Sequence, residues 1–364
     1  MRTTQNNSPQ GKLEQRTTGR LSRRHLLKRT ALLSLTLPLA WQATACAPVA
    51  VNQPPAPTNH ATADEPSVEG KTIRLISSDG GIPLFAQSRG VFEESLKQKN
   101  ITLEWVGPFG AHAPALQAVT GGSADLTYGG SSTVAMAAIL GGSSFVFTGV
   151  LSSDPRVTAI LAHPDSGIKS VVDLVGKKVA ANRSGLGEFI LIAALEKYGL
   201  TRDQVEIAYL NPPDASPAFA QGQVDAWSIF GAAREIAELE HGGIPIFIEG
   251  EALAPEERID IQSYIALEEY ATANPEVIQA VIEGYQAEAA WANANTEEAV
   301  TIGAERAGWS PALIERYKSY KTQYTISFID DEIVATLQRA SEWLLAHEVL
   351  PEPITIADHV VQLG

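Results

Sequence analysis

From residue 70 onward, short runs rich in Val, Ile and Leu alternate with longer stretches whose apolar residues recur at helical spacing. Runs of the first kind, bounded by Gly, Ser and Asp, read as strands, and those of the second read as helices. Strands are predicted over residues 72–77, 101–106, 125–128 and 144–149, with helices over 83–98, 113–121 and 133–140 between them. A second set places strands at 158–163, 177–181, 205–210, 224–229 and 244–249, with helices at 189–198 and 214–221. A strand over 261–267 and helices over 275–295, 296–307 and 330–348 complete the pattern. Strands alternating with helices of this length imply crossover connections and largely parallel sheets, so the class is α/β.

That topology locates candidate chemistry, because open parallel sheets bind ligands in the crevice outside the carboxyl ends of their strands. Four segments meet the condition. Ser78, Asp79 and Gly80 follow the first strand. Gly130, Ser131 and Ser132 follow the strand at 125–128 and open a helix. Arg183, Ser184 and Gly185 form a Gly/Ser turn after the strand at 177–181, and Asp225 and Trp227 are read as closing the strand at 224–229. A helix that starts at such a turn presents N–H groups without partners and a partial positive charge, which suits an anion. Ser131 and Ser184 serve equally well as plain helix caps. Arg183 pairs bidentately with an anionic head group or points to solvent. Asp79 accepts from a ligand amine or is a turn residue, and Trp227 walls an apolar tail or packs in the core.

Residues 173–230, with DLVGKKVA, the Gly/Ser turn, a helix ending ALEKYGL, and PAFAQGQVDAW, resemble the second lobe of periplasmic solute-binding proteins. The branch resembled serves importers for aliphatic sulfonates, taurine and nitrate, and a looser likeness extends from residue 71 to the late helices. The resemblance implies a two-lobed type II periplasmic-binding fold, each lobe a mainly parallel sheet flanked by helices, with the ligand cleft between them. Lobe one would comprise residues 71–155, with 259–364 as a return strand and bracing helices, and lobe two residues 156–258. It also implies a monomer that closes about a hinge on a small anion and delivers it to an ABC permease. Family members often continue from the tryptophan through an aromatic residue to Asp-Pro. This chain instead reads Ile229-Phe230-Gly231-Ala232-Ala233, which weakens the transfer of lobe-two contacts.

The N-terminal pattern fits that role. Residues 1–45 carry eight basic residues against Glu14, and Ser22-Arg23-Arg24-His25-Leu26-Leu27-Lys28 fits a twin-arginine export signal. An apolar run over 30–41 is too short to span a bilayer, and Ala43-Thr44-Ala45-Cys46 resembles a bacterial lipoprotein cleavage box. Cys46 is the sole cysteine, so an intramolecular disulfide is excluded and lipidation is the expected use. Residues 46–70, rich in Pro, Ala, Thr and Asn, are expected to form a disordered tether outside the cytoplasm, in the periplasm or on the outer face of the membrane.

Charge narrows the partners. The leader contributes +7 to a chain total of −15, so the remainder is near −22. Such a chain has no basic patch to replace the counterions of nucleic acid. Any attraction for an anion must come from local N–H groups working against the net charge. The seven His show no metal-ligand spacing, and neither Gly-x-Ser-x-Gly nor a Walker loop occurs, so no catalytic residue, metal or cofactor is expected. Other readings are a binding protein that signals to a receptor kinase, an importer subunit for a neutral heterocycle such as a thiamine precursor, and an exported enzyme on the same fold.

Overall fold

The computed structural model describes residues 70–363; the expected leader, Cys46 and the tether up to residue 69 lie outside the described residues. The strands, in chain order, are β1 Lys71–Ile76, β2 Ile101–Val106, β3 Gly130–Ser131, β4 Phe145–Ser152, β5 Thr158–Ala162, β6 Lys178–Ala181, β7 Glu206–Tyr209, β8 Ala226–Phe230, β9 Ile244–Ile248, β10 Gln262–Leu267 and β11 Thr325–Ser327. They form two sheets with helices packed on them. In the first, β1 and β2 pair in parallel from Lys71 opposite Ile101 to Ile76 opposite Val106. The order β11-β4-β10-β3 continues it, and Leu126 joins the two parts by bridging Leu75 and Ala266. The second sheet has the order β7-β6-β8-β5-β9.

The α/β architecture is as expected, but the sheets are mixed. β10 runs antiparallel to β3 and β4, and β5 runs antiparallel to β8 and β9. The reason lies in the connections. β4 carries the chain out of the first sheet and β10 brings it back, while β5 enters the second sheet and β9 leaves it. Strands that enter and leave through the same crossing must oppose each other. Parallel pairing is kept where crossover helices intervene, in β1 with β2 and in β6 with both β7 and β8.

Three local differences have plain causes. The helix expected over 83–98 is two helices, Gly81–Arg89 and Val91–Gln98, because Gly90 adopts φ 70° and its N–H closes the first on Ala86 O. The strand expected at 125–128 is reduced to the bridging residue Leu126. Helices Gly231–His241 and Pro311–Tyr320 were not anticipated, although the second carries the Ser310 N-cap and Pro311 that mark a start.

Candidate ligand-binding site

A cavity of ≈ 980 Å³ is lined by the residues that follow β1, β2, β6, β7 and β8, together with the crossing segments around 152–158 and 249–262. The carboxyl ends of the parallel strands therefore converge on one cleft between the sheets, as the topology requires. Ser78, Asp79, Gly80, Gly130 and Ser131 line it, as expected. Ser132, Arg183, Ser184, Gly185, Asp225 and Trp227 do not.

Each departure has a physical cause. Trp227 is 1% exposed and packs in the core of the second sheet against Phe219, with ring centroids 5.8 Å apart. Asp225 precedes β8 and accepts from the Lys178 amide at 2.8 Å. Both lie at the amino end of β8, whereas the cleft is at its carboxyl end, where Phe230, Gly231, Ala232 and Ala233 line the wall. Arg183 is exposed and lies over the Tyr209 ring at 3.6 Å. Gly185 is a packing glycine, since a Cβ there would lie 2.0 Å from Asn182 Nδ2.

The hydroxyls and amides meant for a ligand are already engaged by the chain's own carboxylates. Ser131 Oγ donates to Asp260 Oδ2 at 2.7 Å and Ser132 Oγ to Asp260 Oδ1 at 3.0 Å. The Thr133 amide donates to the same carboxylate at 3.2 Å. In the second sheet the Ser184 amide donates to Glu188 Oε2 at 2.5 Å, and Glu188 is 2% exposed. A buried carboxylate at a helix start satisfies N–H groups and complements the dipole, which is the service an anionic ligand would otherwise supply. Gly130 keeps a separate role, because a Cβ there would lie 2.3 Å from the His112 ring.

Helices Gly81–Arg89, His112–Thr120, Gly231–His241 and Thr296–Ala307 are among those that start at the cleft with no capping side chain. Pro212–Ala220 also starts there, with two prolines that have no N–H to offer. Gly231 has φ 64°, a conformation that lets the chain turn sharply from β8 into the helix. First-turn amides of helices packed on both sheets thus face the cleft without a capping side chain. Local sequence carried a signal for this one: a Gly at the end of a β-rich run, followed by amphipathic AAREIAELEH.

The cleft floor is acidic. Asp79, Asp154, Glu249 and Asp260 line it, and the lining cation Arg258 donates to the carbonyls of Leu253 and Gly250. Burial pushes the Glu249 carboxyl up to about 7, with Asp260 adding to the rise and Thr158 and Arg258 opposing it. Burial also raises Asp260, against its bonds from Ser131, Thr133 and Ser132. His112 lines the wall with Nδ1 2.9 Å from Ser131 O, and burial lowers it to about 4, so it is neutral near pH 7. Among the described residues no group of three or more His, Cys, Asp and Glu is arranged to hold a metal ion. Nor is any described helix long and apolar enough to cross a membrane.

Comparison with known proteins agrees with this architecture. A protein named for binding aliphatic sulfonates in Escherichia coli (strain K12) is 29% identical over 302 residues, covering 83% of this chain and 92% of that protein. The crystal structure of the periplasmic aliphatic sulphonate binding protein of Escherichia coli superposes with TM-score 0.69 at 27% identity, covering 81% of this chain and 93% of that one. The alkanesulfonate-binding protein of Xanthomonas axonopodis pv. citri bound to MOPS gives 0.73 at 23% identity, over 81% of this chain and 99% of that one, which speaks to the fold. The family model described as NMT1/THI5 like matches residues 82–299, more than half of the sequence, and this chain belongs to that family.

Proposed function

We propose that this chain is the extracytoplasmic capture subunit of an ABC importer, that it holds an organosulfonate in the cleft, and that it releases the ligand unaltered to a permease. The observation that carries the reading is the arrival of uncapped helix starts from both sheets, Gly81–Arg89 and Gly231–His241, on one cleft. Amides fixed by helices bind an oxyanion without the cost of ordering flexible side chains. The relatives named for sulfonate binding support the choice of head group. Residues 71–155 with 259–364 act as one jaw and 156–258 as the other. The hinge runs through the crossings β4 to β5 and β9 to β10, and ligand favours closure by touching both jaws. Cys46, acylated after export, holds a monomer to the membrane.

A titration of the purified chain with hexanesulfonate tests this. Ala232→Asp places a carboxylate in the first turn of Gly231–His241, where it suits the helix dipole and spares the fold. It is expected to weaken binding about tenfold or more, the worth of a charge-assisted bond. Equal affinity in the variant refutes the head-group site, and a ligand recovered chemically changed refutes the carrier role in favour of an enzyme. A second reading, a neutral or cationic heterocycle, is favoured by the carboxylates of Asp79, Glu249 and Asp260 on the lining. Tight binding of a pyrimidine with no binding of sulfonates would select it.

A further inference from the structure

Behind the cleft wall, charged groups from the two jaws meet in a buried network beside the hinge. Helix Gly231–His241 lies between β8 and β9 of the second sheet. Helix Pro311–Tyr320 is held to the other jaw at both ends. It follows Thr296–Ala307, which packs on Gly81–Arg89, and it leads into β11, which pairs with β4. The first helix supplies Arg234, Glu235 and Glu238, and the second supplies Arg316 and Tyr320. The Tyr320 hydroxyl donates to Glu235 Oε1 at 2.6 Å and accepts from Arg234 Nη1 at 3.1 Å. Arg316 Nη1 donates to Glu235 Oε2 at 3.1 Å and to Glu238 Oε1 at 2.9 Å. Arg156, on the crossing from β4 to β5, donates to the Tyr320 carbonyl at 2.7 Å and lies over its ring. Tyr320 thus joins the second jaw, the first jaw's helix and the hinge.

The network is incomplete, because Arg234 Nε is buried without a hydrogen-bond partner. Buried ion networks recover little beyond their own desolvation, and a donor left over reduces the gain further. Parting the two helices hydrates every member at once, unlike deleting one partner, which strands a charge. The contact as a whole therefore costs little to break or to form, which suits a switch better than a staple. Its position ties it to ligand capture. Arg234 and Glu235 lie one turn behind Gly231 and Ala232 on the cleft wall, and Tyr317, one turn before Tyr320, lines the cleft from the other jaw. We infer that helix Pro311–Tyr320 is a clasp: closing the cleft brings Arg316 and Tyr320 onto Glu235, and opening it releases them. The clasp sets the share of closed protein without ligand and the rate at which a held ligand escapes. It rests on the two-jaw reading above and not on the choice of sulfonate.

Tyr320→Phe combined with Arg316→Gln removes the clasp from the first jaw and leaves Glu235 and Glu238 paired to Arg234 within their own helix. Solution scattering of the ligand-free chain is expected to give a larger radius of gyration for this variant than for the wild type. With hexanesulfonate as probe, stopped-flow kinetics should show dissociation about tenfold faster, the worth of one charge-assisted bond. Association should stay within about twofold, because the open form is unaltered. Superimposable ligand-free profiles from the two folded proteins overturn the clasp whatever the ligand. A lower melting temperature with no change in profile or dissociation rate overturns it too, since a purely structural contact behaves that way. A larger radius in the variant with no hexanesulfonate binding by either protein supports the clasp and overturns only the sulfonate reading. Should the double variant not fold, Tyr320→Phe alone makes the same comparison with a smaller expected shift.

Discussion

Replacing Glu249 by Gln probes the acidic floor of the cleft through its pH dependence. The Glu249 side chain is 6% exposed, and burial raises its pKa from 4.5 to about 7. Between those values the folded chain binds the proton more firmly than the unfolded chain does. Stability therefore falls as pH rises from 4.5 to about 7 and stays at the lower level above that. A rise of this size corresponds to roughly 3 kcal/mol, at about 1.4 kcal/mol per pKa unit. Gln keeps the shape and cannot ionise. The variant should match the wild type at pH 4 and exceed it by about 3 kcal/mol at pH 8. Urea unfolding at a series of pH values measures the difference directly. A constant offset between the two proteins across that range would refute the argument, because it would mean the carboxyl titrates as in the unfolded chain.

Two further outcomes follow from buried groups. Trp227→Ala is expected to cost about 3–5 kcal/mol in urea unfolding without a matching loss of ligand affinity, because the indole fills the core of the second sheet; lost affinity at unchanged stability would return Trp227 to the site. Glu235 is 0% exposed, pairs with Arg234, and accepts from Arg316 at 3.1 Å and from the Tyr320 hydroxyl at 2.6 Å, so it ties helix Gly231–His241 to Pro311–Tyr320. Glu235→Gln leaves Arg234, 3% exposed, with only Glu238 as charge partner, and should cost about 3 kcal/mol in a thermal or urea melt. A loss below about 0.5 kcal/mol would show the network to be no stronger than a surface pair.

Which half of the site could be read locally depended on where strands end. Ser78 to Gly80 were legible because strand Lys71–Ile76, a Ser/Gly turn and helix Gly81–Arg89 follow one another, and Gly130 to Ser131 because they lead straight into helix Ser132–Leu140, although only Leu126 remains of the strand expected before them. Asp225 and Trp227 were placed at the cleft although they stand at the amino end of a strand read over 224–229 and found at Ala226–Phe230. Alternation in VDAWSIF shows a strand but not which of its ends faces the cleft. The carboxylates that occupy the Ser131 and Ser184 turns differ in visibility. Glu188 lies four residues from Ser184, within one helical turn, whereas Asp260 reaches Ser131 across 129 residues.

The sequence by itself determined the class, the rhythm of strands and helices and the family likeness, since these depend on short-range periodicity and turn chemistry. Only the tertiary structure decided which helix starts reach the cleft without a side-chain cap, that Asp260 and Glu188 bond to the Ser131 and Ser184 turns, and that Trp309, Tyr317 and Tyr324 come to the cleft wall. Those outcomes depend on long-range pairing: β10 returns Asp260 to the start of helix Ser132–Leu140, and Tyr324 comes to face Phe85 only when the C-terminal segments fold over the first sheet. A local pattern specifies what a segment becomes, and packing specifies what it meets.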